Sequence, residues 1–261
     1  MGEIIIPQGY KSALNLHDTQ VAIKTVKDYF QHELTHRLHL LRVTAPLFVQ
    51  PETGLNDNLN GVEHPVSFEL KDQGTKKTAE IVQSLAKWKR YALHKYGFSE
   101  GEGIYTDMNA IRRDEEVDNL HSIYVDQWDW EKVISAEDRN VEYLKRTVRD
   151  IVGAISETSD ALNIAFPSLH TKLARDVFFI TTQELEDLYP DLTWALVPTS
   201  GISKETGRST PFKLSFRPEF SSTNSGAETR RRLSALLRFT WKLLLMNSMA
   251  RCISYTDRGV W

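Results

Sequence analysis

In LHSIYVDQWDWE, Leu120 to Glu131, the residues from Ile123 to Trp130 alternate with a period of two. Ile123, Val125, Gln127 and Asp129 fall on one face of a strand, and Tyr124, Asp126, Trp128 and Trp130 on the other. A polar pair therefore emerges at the end of one face while the opposite face is largely aromatic. Working outward, Gln20 to Leu41 reads as one helix, because Ile23, Val26, Phe30, Leu34, Leu38 and Leu41 share a stripe at 3.6 residues per turn. Arg42 to Val49 reads as a strand carrying Pro46 near its middle, which marks an edge or a bulge. Val66 to Lys71 alternates as a half-buried strand would. Val141, Leu144, Val148, Ile151, Val152 and Ile155 define a second amphipathic helix, and Val177 to Ile180 an apolar strand. After that strand, Thr181 with Glu184 forms a capping box ahead of Leu185 and Leu188. Strands spaced too irregularly for a βαβ repeat predict an α+β domain with a mainly antiparallel sheet flanked by helices. Neither G-x-x-x-x-G-K nor G-x-G-x-x-G occurs, so an ATP site would lie outside the P-loop and dinucleotide-binding folds.

The chain has 261 residues, 41% of them apolar, enough for one large domain or two small ones. A net charge of −3 speaks against a dedicated nucleic-acid binder, whose footprint is basic and clustered. The single cysteine, Cys252, excludes an internal disulfide and fits a reducing, cytoplasmic compartment. MGEIIIPQGYKSAL lacks the basic and long apolar regions of a signal peptide, and Leu243 to Met246 is far too short to span a bilayer. No membrane partner is expected.

His32-Glu33-Leu34-Thr35-His36 fits H-E-x-x-H, in which two histidines one helical turn apart hold zinc and the glutamate acts as base. Here His32, His36 and His39 lie opposite the apolar stripe, on a face with the character of a solvated or interfacial surface. No metal ligands are assigned to them.

Four ordered segments carry a family likeness: GLNDNLNG (Gly54 to Gly61), VQSLAKWKR (Val82 to Arg90), GEGIYTDMNAIRRDEE (Gly101 to Glu116) and LHSIYVDQWDWE. They resemble the successive motifs of ammonia-dependent asparagine synthetases (aspartate–ammonia ligases), a family similar in fold to the catalytic domain of class II aminoacyl-tRNA synthetases. The resemblance implies an ATP- and Mg2+-dependent ligase that makes asparagine from L-aspartate and ammonia through a β-aspartyl adenylate, releasing AMP and pyrophosphate. It also implies a homodimer formed through helix 20–41 and the strand after it, which look like class II motif 1. Ile111 to Glu115 resembles motif 2.

Amide formation from a carboxylate requires activation, and a guanidinium offers planar, bidentate stabilisation to the α-phosphate as it is attacked. Position in the resemblance assigns that role to Arg112, and to Glu115 a contact with the adenine of the nucleotide or with the ammonia-side network. It likewise places Asp57 and Gln127 at the amino end of the substrate, Lys89 at a carboxylate, and Ser84 and Asp129 at neighbouring polar positions. The alternation of the 123–130 strand independently puts Gln127 and Asp129 on one face. Each residue also has a plainer reading. Asp57-Asn58 fits turn chemistry, Lys87, Lys89 and Arg90 a solvated helix face, and Arg112 to Glu116 an exposed charge run.

Two departures stand out. Gln83 occupies the place of an expected histidine before Ser84. From Trp194 to Trp261 the chain has 11 basic and 4 acidic residues with ten serines, against 21 basic and 31 acidic in the remainder. The acidic RAPDYDDW-like and GGGIGQSR-like segments expected of the family are unreadable there. Residues 1–193 are thus expected to be the N-terminal part of a ligase core, and 194–261 a basic, Ser-rich tail, disordered or frame-shifted, without a clear strand pattern. The sheet is then expected to be incomplete at its C-terminal side. The competing readings are a non-catalytic paralogue serving dimerisation or regulation, an aminoacyl-tRNA synthetase fragment, and a zinc peptidase.

Overall fold

The computed structural model describes residues 5–57, 59, 61–71, 77–119, 121–171 and 173–181, and the backbone of 212–216. These residues divide into two compact units, one built on residues up to Thr19 and on Leu38–Asp138, the other on Gln20–Arg37 and the chain from Arg139 onward.

The first unit holds two three-stranded sheets. In one, β1 (Leu40–Arg42) runs parallel to β5 (Gly103–Ile111), and β5 pairs antiparallel with β6 (Tyr124–Lys132). In the other, β2 (Phe48–Val49) and β3 (Ser67–Leu70) flank β4 (Lys77–Ile81), both antiparallel to it. Helix α2 (Ala86–Lys95) follows β4. Its Trp88, Ala92 and Leu93, with Leu85 just before it, share a core with Val49, Val82, Ile104, Met108 and Ala110. The β5–β6 register explains this packing. Ile104, Thr106, Met108 and Ala110 oppose Glu131, Asp129, Gln127 and Val125, and directly opposed residues share a face, so the alternate residues of two strands form a single floor under α2. Gly103 stands where that floor meets β1, and a Cβ there would lie 2.6 Å from both the Glu131 carbonyl oxygen and Leu40 Cδ2.

The second unit contains most of α1 (Leu16–Leu38), with α3 (Val141–Ala165) and β7 (Val177–Thr181), whose backbone pairs in parallel with β8 (Phe212–Phe216). Asn140 starts α3 by accepting the Tyr143 amide at 2.9 Å through Oδ1. Leu144, Val148, Ile151, Val152 and Ile155 are its buried stripe, as expected, although Val141 is exposed. Arg37 of α1 donates to Glu157 of α3 at 2.7 Å and lies 3.5 Å from Glu33. Gly153 leaves room for that guanidinium, since a Cβ at 153 would meet Arg37 Nη1 at 2.8 Å.

The α+β class and the predominance of antiparallel pairing agree with the sequence, but several boundaries do not. Helix α1 begins four residues before Gln20, because Asn15 caps it: its Oδ1 accepts the Asp18 amide at 2.8 Å. It ends at Leu38 rather than Leu41, since His39 adopts a left-handed conformation (φ 55°) that closes the helix. The expected 42–49 strand is two strands, β1 and β2, in different sheets, with Pro46 in the irregular stretch between them. Strand β3 lies where expected, yet it is mostly exposed and not half-buried, with Ser67, Phe68 and Glu69 all open. The expectation that 194–261 shows no clear strand pattern is corrected at one place by β8, whose FKLSF alternates. Thr181 is the last residue of β7, while Glu184, its partner in the expected capping box, and the remainder of the 194–261 tail lie outside the described residues. Among the described residues no helix is long and apolar enough to cross a membrane.

Candidate active site

Helical spacing turns Lys89 inward. It lies four residues after Leu85 and one after Trp88, on the buried side of α2, and it is 0% exposed, whereas Lys87 is exposed. The plainer reading of these lysines as a solvated face therefore holds for Lys87 and fails for Lys89. The Lys89 ammonium pairs with Asp129, donates to the Trp130 carbonyl oxygen at 3.0 Å, and lies 3.7 Å from Glu131. Glu131 in turn accepts from Arg90 Nε at 3.1 Å. Burying both charges costs free energy that only close pairing with further hydrogen bonds offsets, and Asp129, 3% exposed, supplies the pairing from the sheet floor. Its other oxygen, Oδ2, is buried with no hydrogen-bond partner among the described residues.

Gln127 sits two residues before Asp129 on the same face, half-buried, with its Nε2 4.0 Å from Met108 Sδ. Ser84 is buried at the entrance to α2, its Oγ 3.5 Å from the Ala86 amide. Gln83 is 1% exposed and its Nε2 has no partner among the described residues. Asp57 is half-buried on the loop that precedes β3.

Arg112 and Glu115 occupy a turn just beyond β5. The Arg112 amide donates to the Ile123 carbonyl at 2.8 Å, continuing the ladder, and the Glu115 amide donates to the Arg112 carbonyl at 3.1 Å. By the period of the strand, Arg112 shares its face with Met108 and Ala110, hence with Gln127 and Asp129. Of the 112–116 charge run, Arg113, Asp114 and Glu116 are exposed as a charge run should be, whereas Arg112 and Glu115 are half-buried and 3.7 Å apart. Asp114 Oδ2 accepts the His64 amide at 2.7 Å and lies 3.0 Å from His64 Nδ1. These contacts, the backbone hydrogen bond foremost, hold the Asp114 carboxyl below the usual carboxylate range.

The structure thus joins Lys89 and Asp129 directly, places Gln127 beside them on the floor, and sets Arg112 and Glu115 further along the same hairpin. Two participants escaped the sequence reading. Glu131 extends the 127, 129 series by the same period and was legible there. Asn56, whose Oδ1 accepts the Gln83 amide at 2.9 Å beside Ser84, was not, because an asparagine in a Gly-flanked stretch reads as a turn. On α1, His32 and His36 are exposed as predicted, and Glu33 is engaged by Arg37. Among the described residues no group of three or more His, Cys, Asp or Glu side chains is arranged to hold a metal ion.

A family model described as aspartate-ammonia ligase matches residues 17–202. The chain belongs to the aspartate–ammonia ligase family. Its sequence is 58% identical over 193 residues to the aspartate–ammonia ligase of Ruminiclostridium cellulolyticum, covering 74% of this chain and 57% of that one. It is 60% identical over 202 residues to that of Clostridium tetani, covering 77% and 59% respectively. The chain therefore spans under two-thirds of the length of these family members. Solved structures with some likeness include an asparaginyl-tRNA synthetase from Pyrococcus horikoshii complexed with asparaginyl-adenylate (TM-score 0.45, 18% identity, covering 68% of this chain and 40% of that one). Another is the asparaginyl-tRNA synthetase of Entamoeba histolytica in complex with asparaginyl-adenylate (TM-score 0.43, 16% identity, covering 73% and 39%). Every segment on which the aspartate–ammonia ligase resemblance was built falls within the matched 17–202 region.

Proposed function

We propose that this chain carries the aspartate-activating part of an aspartate–ammonia ligase, which makes asparagine from L-aspartate, ammonia and ATP. The observation that carries the proposal is the buried Lys89–Asp129 pair on the β5–β6 floor, inside the matched family region. An ion pair buried beneath a helix contributes little stability over an apolar pair of the same shape, which favours a binding role over a purely structural one.

In this reading Asp57 and Gln127 receive the substrate ammonium. Lys89, oriented by Asp129 and the Trp130 carbonyl, faces a substrate carboxylate, with Ser84 adjacent. Asp129 Oδ2 and Gln83 Nε2 keep an acceptor and a donor that no described residue uses. A β-carboxylate oxygen attacks the α-phosphorus of ATP and pyrophosphate departs. Arg112 spreads the charge growing on the phosphoryl oxygens, with Glu115 holding its guanidinium. Ammonia then attacks the acyl carbon of the β-aspartyl adenylate, loses a proton, and expels AMP. The described residues offer no metal cluster, so Mg2+ would arrive on the nucleotide phosphates, as it commonly does, and no step is assigned to it. Residues 1–193 form the core in this account and 194–261 an extension. A homodimer through α1 and β1 and a cytoplasmic location complete the proposal.

The test is incubation of the purified chain with aspartate, ammonium, ATP and Mg2+. Asparagine should appear together with equimolar AMP and pyrophosphate. A folded chain that binds neither aspartate nor ATP would favour a non-catalytic paralogue.

A further inference from the structure

Asn56 is a polar side chain that the reaction does not use and that is nevertheless buried, at 6% exposure. Its Oδ1 accepts the Gln83 amide at 2.9 Å, and its Nδ2 donates to the Ile81 carbonyl and to Glu80 Oε2, both at 3.3 Å. Its own carbonyl accepts from Lys87 Nζ at 3.0 Å. Every one of these bonds reaches the same place, the end of β4 and the start of α2. A turn asparagine would satisfy its own neighbours two or three residues away; these partners lie 24 to 31 positions distant.

We infer that Asn56 is a positioning residue: with Lys87 it ties the loop bearing Asp57 to the junction bearing Ser84, and so fixes the distance between the two ends of the aspartate pocket. The inference rests on the proposed ligase reading, since it is Asp57 and Ser84 that give the tie a purpose. Asp57 follows Asn56 directly, and Ser84 follows Gln83, whose amide Asn56 holds. The two residues on either side of the tie are thus the two the site needs in register. Loss of the Asn56 carboxamide strands the buried Gln83 amide without its acceptor, which such a group does not tolerate at no cost. The loop then settles elsewhere and carries Asp57 with it. Lys87 contributes from outside. It is exposed, and its bond to the Asn56 carbonyl is the only role the described contacts give it.

Asp57 binds the ammonium alike in substrate and transition state, so its displacement weakens binding without altering the chemical step. In the full 261-residue chain, Asn56→Ala should raise KM for aspartate by about tenfold or more, with kcat and KM for ATP within about twofold. Lys87→Met should change KM for aspartate in the same direction by a smaller factor, and Lys87→Arg, which restores a donor, should recover it. Because Lys87 is exposed, that pair of variants does not threaten folding. Unchanged KM for aspartate in Asn56→Ala and Lys87→Met, or a loss spread equally over kcat and both KM values, would overturn the positioning role while leaving the ligase reading intact. An unmodified chain that makes no asparagine would remove the ligase reading and this inference with it.

Discussion

Lys89 shows how a costly buried charge is accommodated. Its charge is wholly buried, and the pairing with Asp129 and the Trp130 carbonyl makes that burial tolerable. Lys89→Met leaves Asp129 buried and unpaired, and should lower unfolding free energy by about 3–5 kcal/mol in urea titrations. Adding Asp129→Asn removes the orphaned charge and should return part of the loss. Two additive losses would mean that the residues do not interact. Arg112 is subject to a different test, because its role depends on shape as well as charge. Arg112→Lys keeps the charge and loses the planar fork. Aspartate-dependent exchange of pyrophosphate into ATP should fall by about 10²–10³, the scale of losing one aimed transition-state donor, with aspartate affinity nearly unchanged. Equal losses in both would place Arg112 in aspartate binding instead.

At the scale of elements, the β5–β6 hairpin does most to build the site, and its sequence declares it. Alternation alone assigned Gln127 and Asp129 to one face, the register adds Met108 and Ala110 to that face, and the period of the strand carries it on to Arg112. The junction with β1 depends on Gly103, where a side chain would press on the Glu131 carbonyl, a backbone atom with no room to give. Gly103→Ala should destabilise the chain by about 1–3 kcal/mol, read as a lowered denaturant midpoint; an unchanged midpoint would show that the strands part freely there. The sequence was less informative where single residues overrode a periodic pattern. A left-handed His39 ended α1 before its apolar stripe ran out. Pro46 separated one apparent strand into two sheets. In VQSLAKWKR the density of charge concealed the 85, 88, 89, 92 spacing that faces Lys89 inward. Asn56 could not be read at all, because its function lies in partners far away in sequence. The alternation of FKLSF was legible and was outweighed by the basic, serine-rich composition around it.

At the scale of the molecule, two carboxylates held by hydrogen bonds contribute to the response to acid. Glu157 lies below the usual carboxylate range because Arg37 donates to it, and Asp114 does because His64 does. A group with a lower pKa folded than unfolded stabilises the fold above its unfolded pKa, and that contribution is lost as pH falls through the folded one. The chain should therefore lose stability progressively below the ordinary carboxylate range. Glu157→Gln should flatten that decline while lowering stability at neutral pH; an unaltered acid limb would show that the Arg37 contact carries no linkage. Passage of the reaction through an adenylate is open to direct measurement. Aspartate labelled with 18O in its β-carboxylate, turned over with ammonium and ATP, should yield asparagine and AMP carrying one 18O atom in its phosphate, with unlabelled pyrophosphate, because the carboxylate oxygen that attacks the α-phosphorus leaves with AMP. Label in inorganic phosphate with ADP as coproduct, or asparagine formed with no label in AMP, would contradict an adenylate and the site built here to make one.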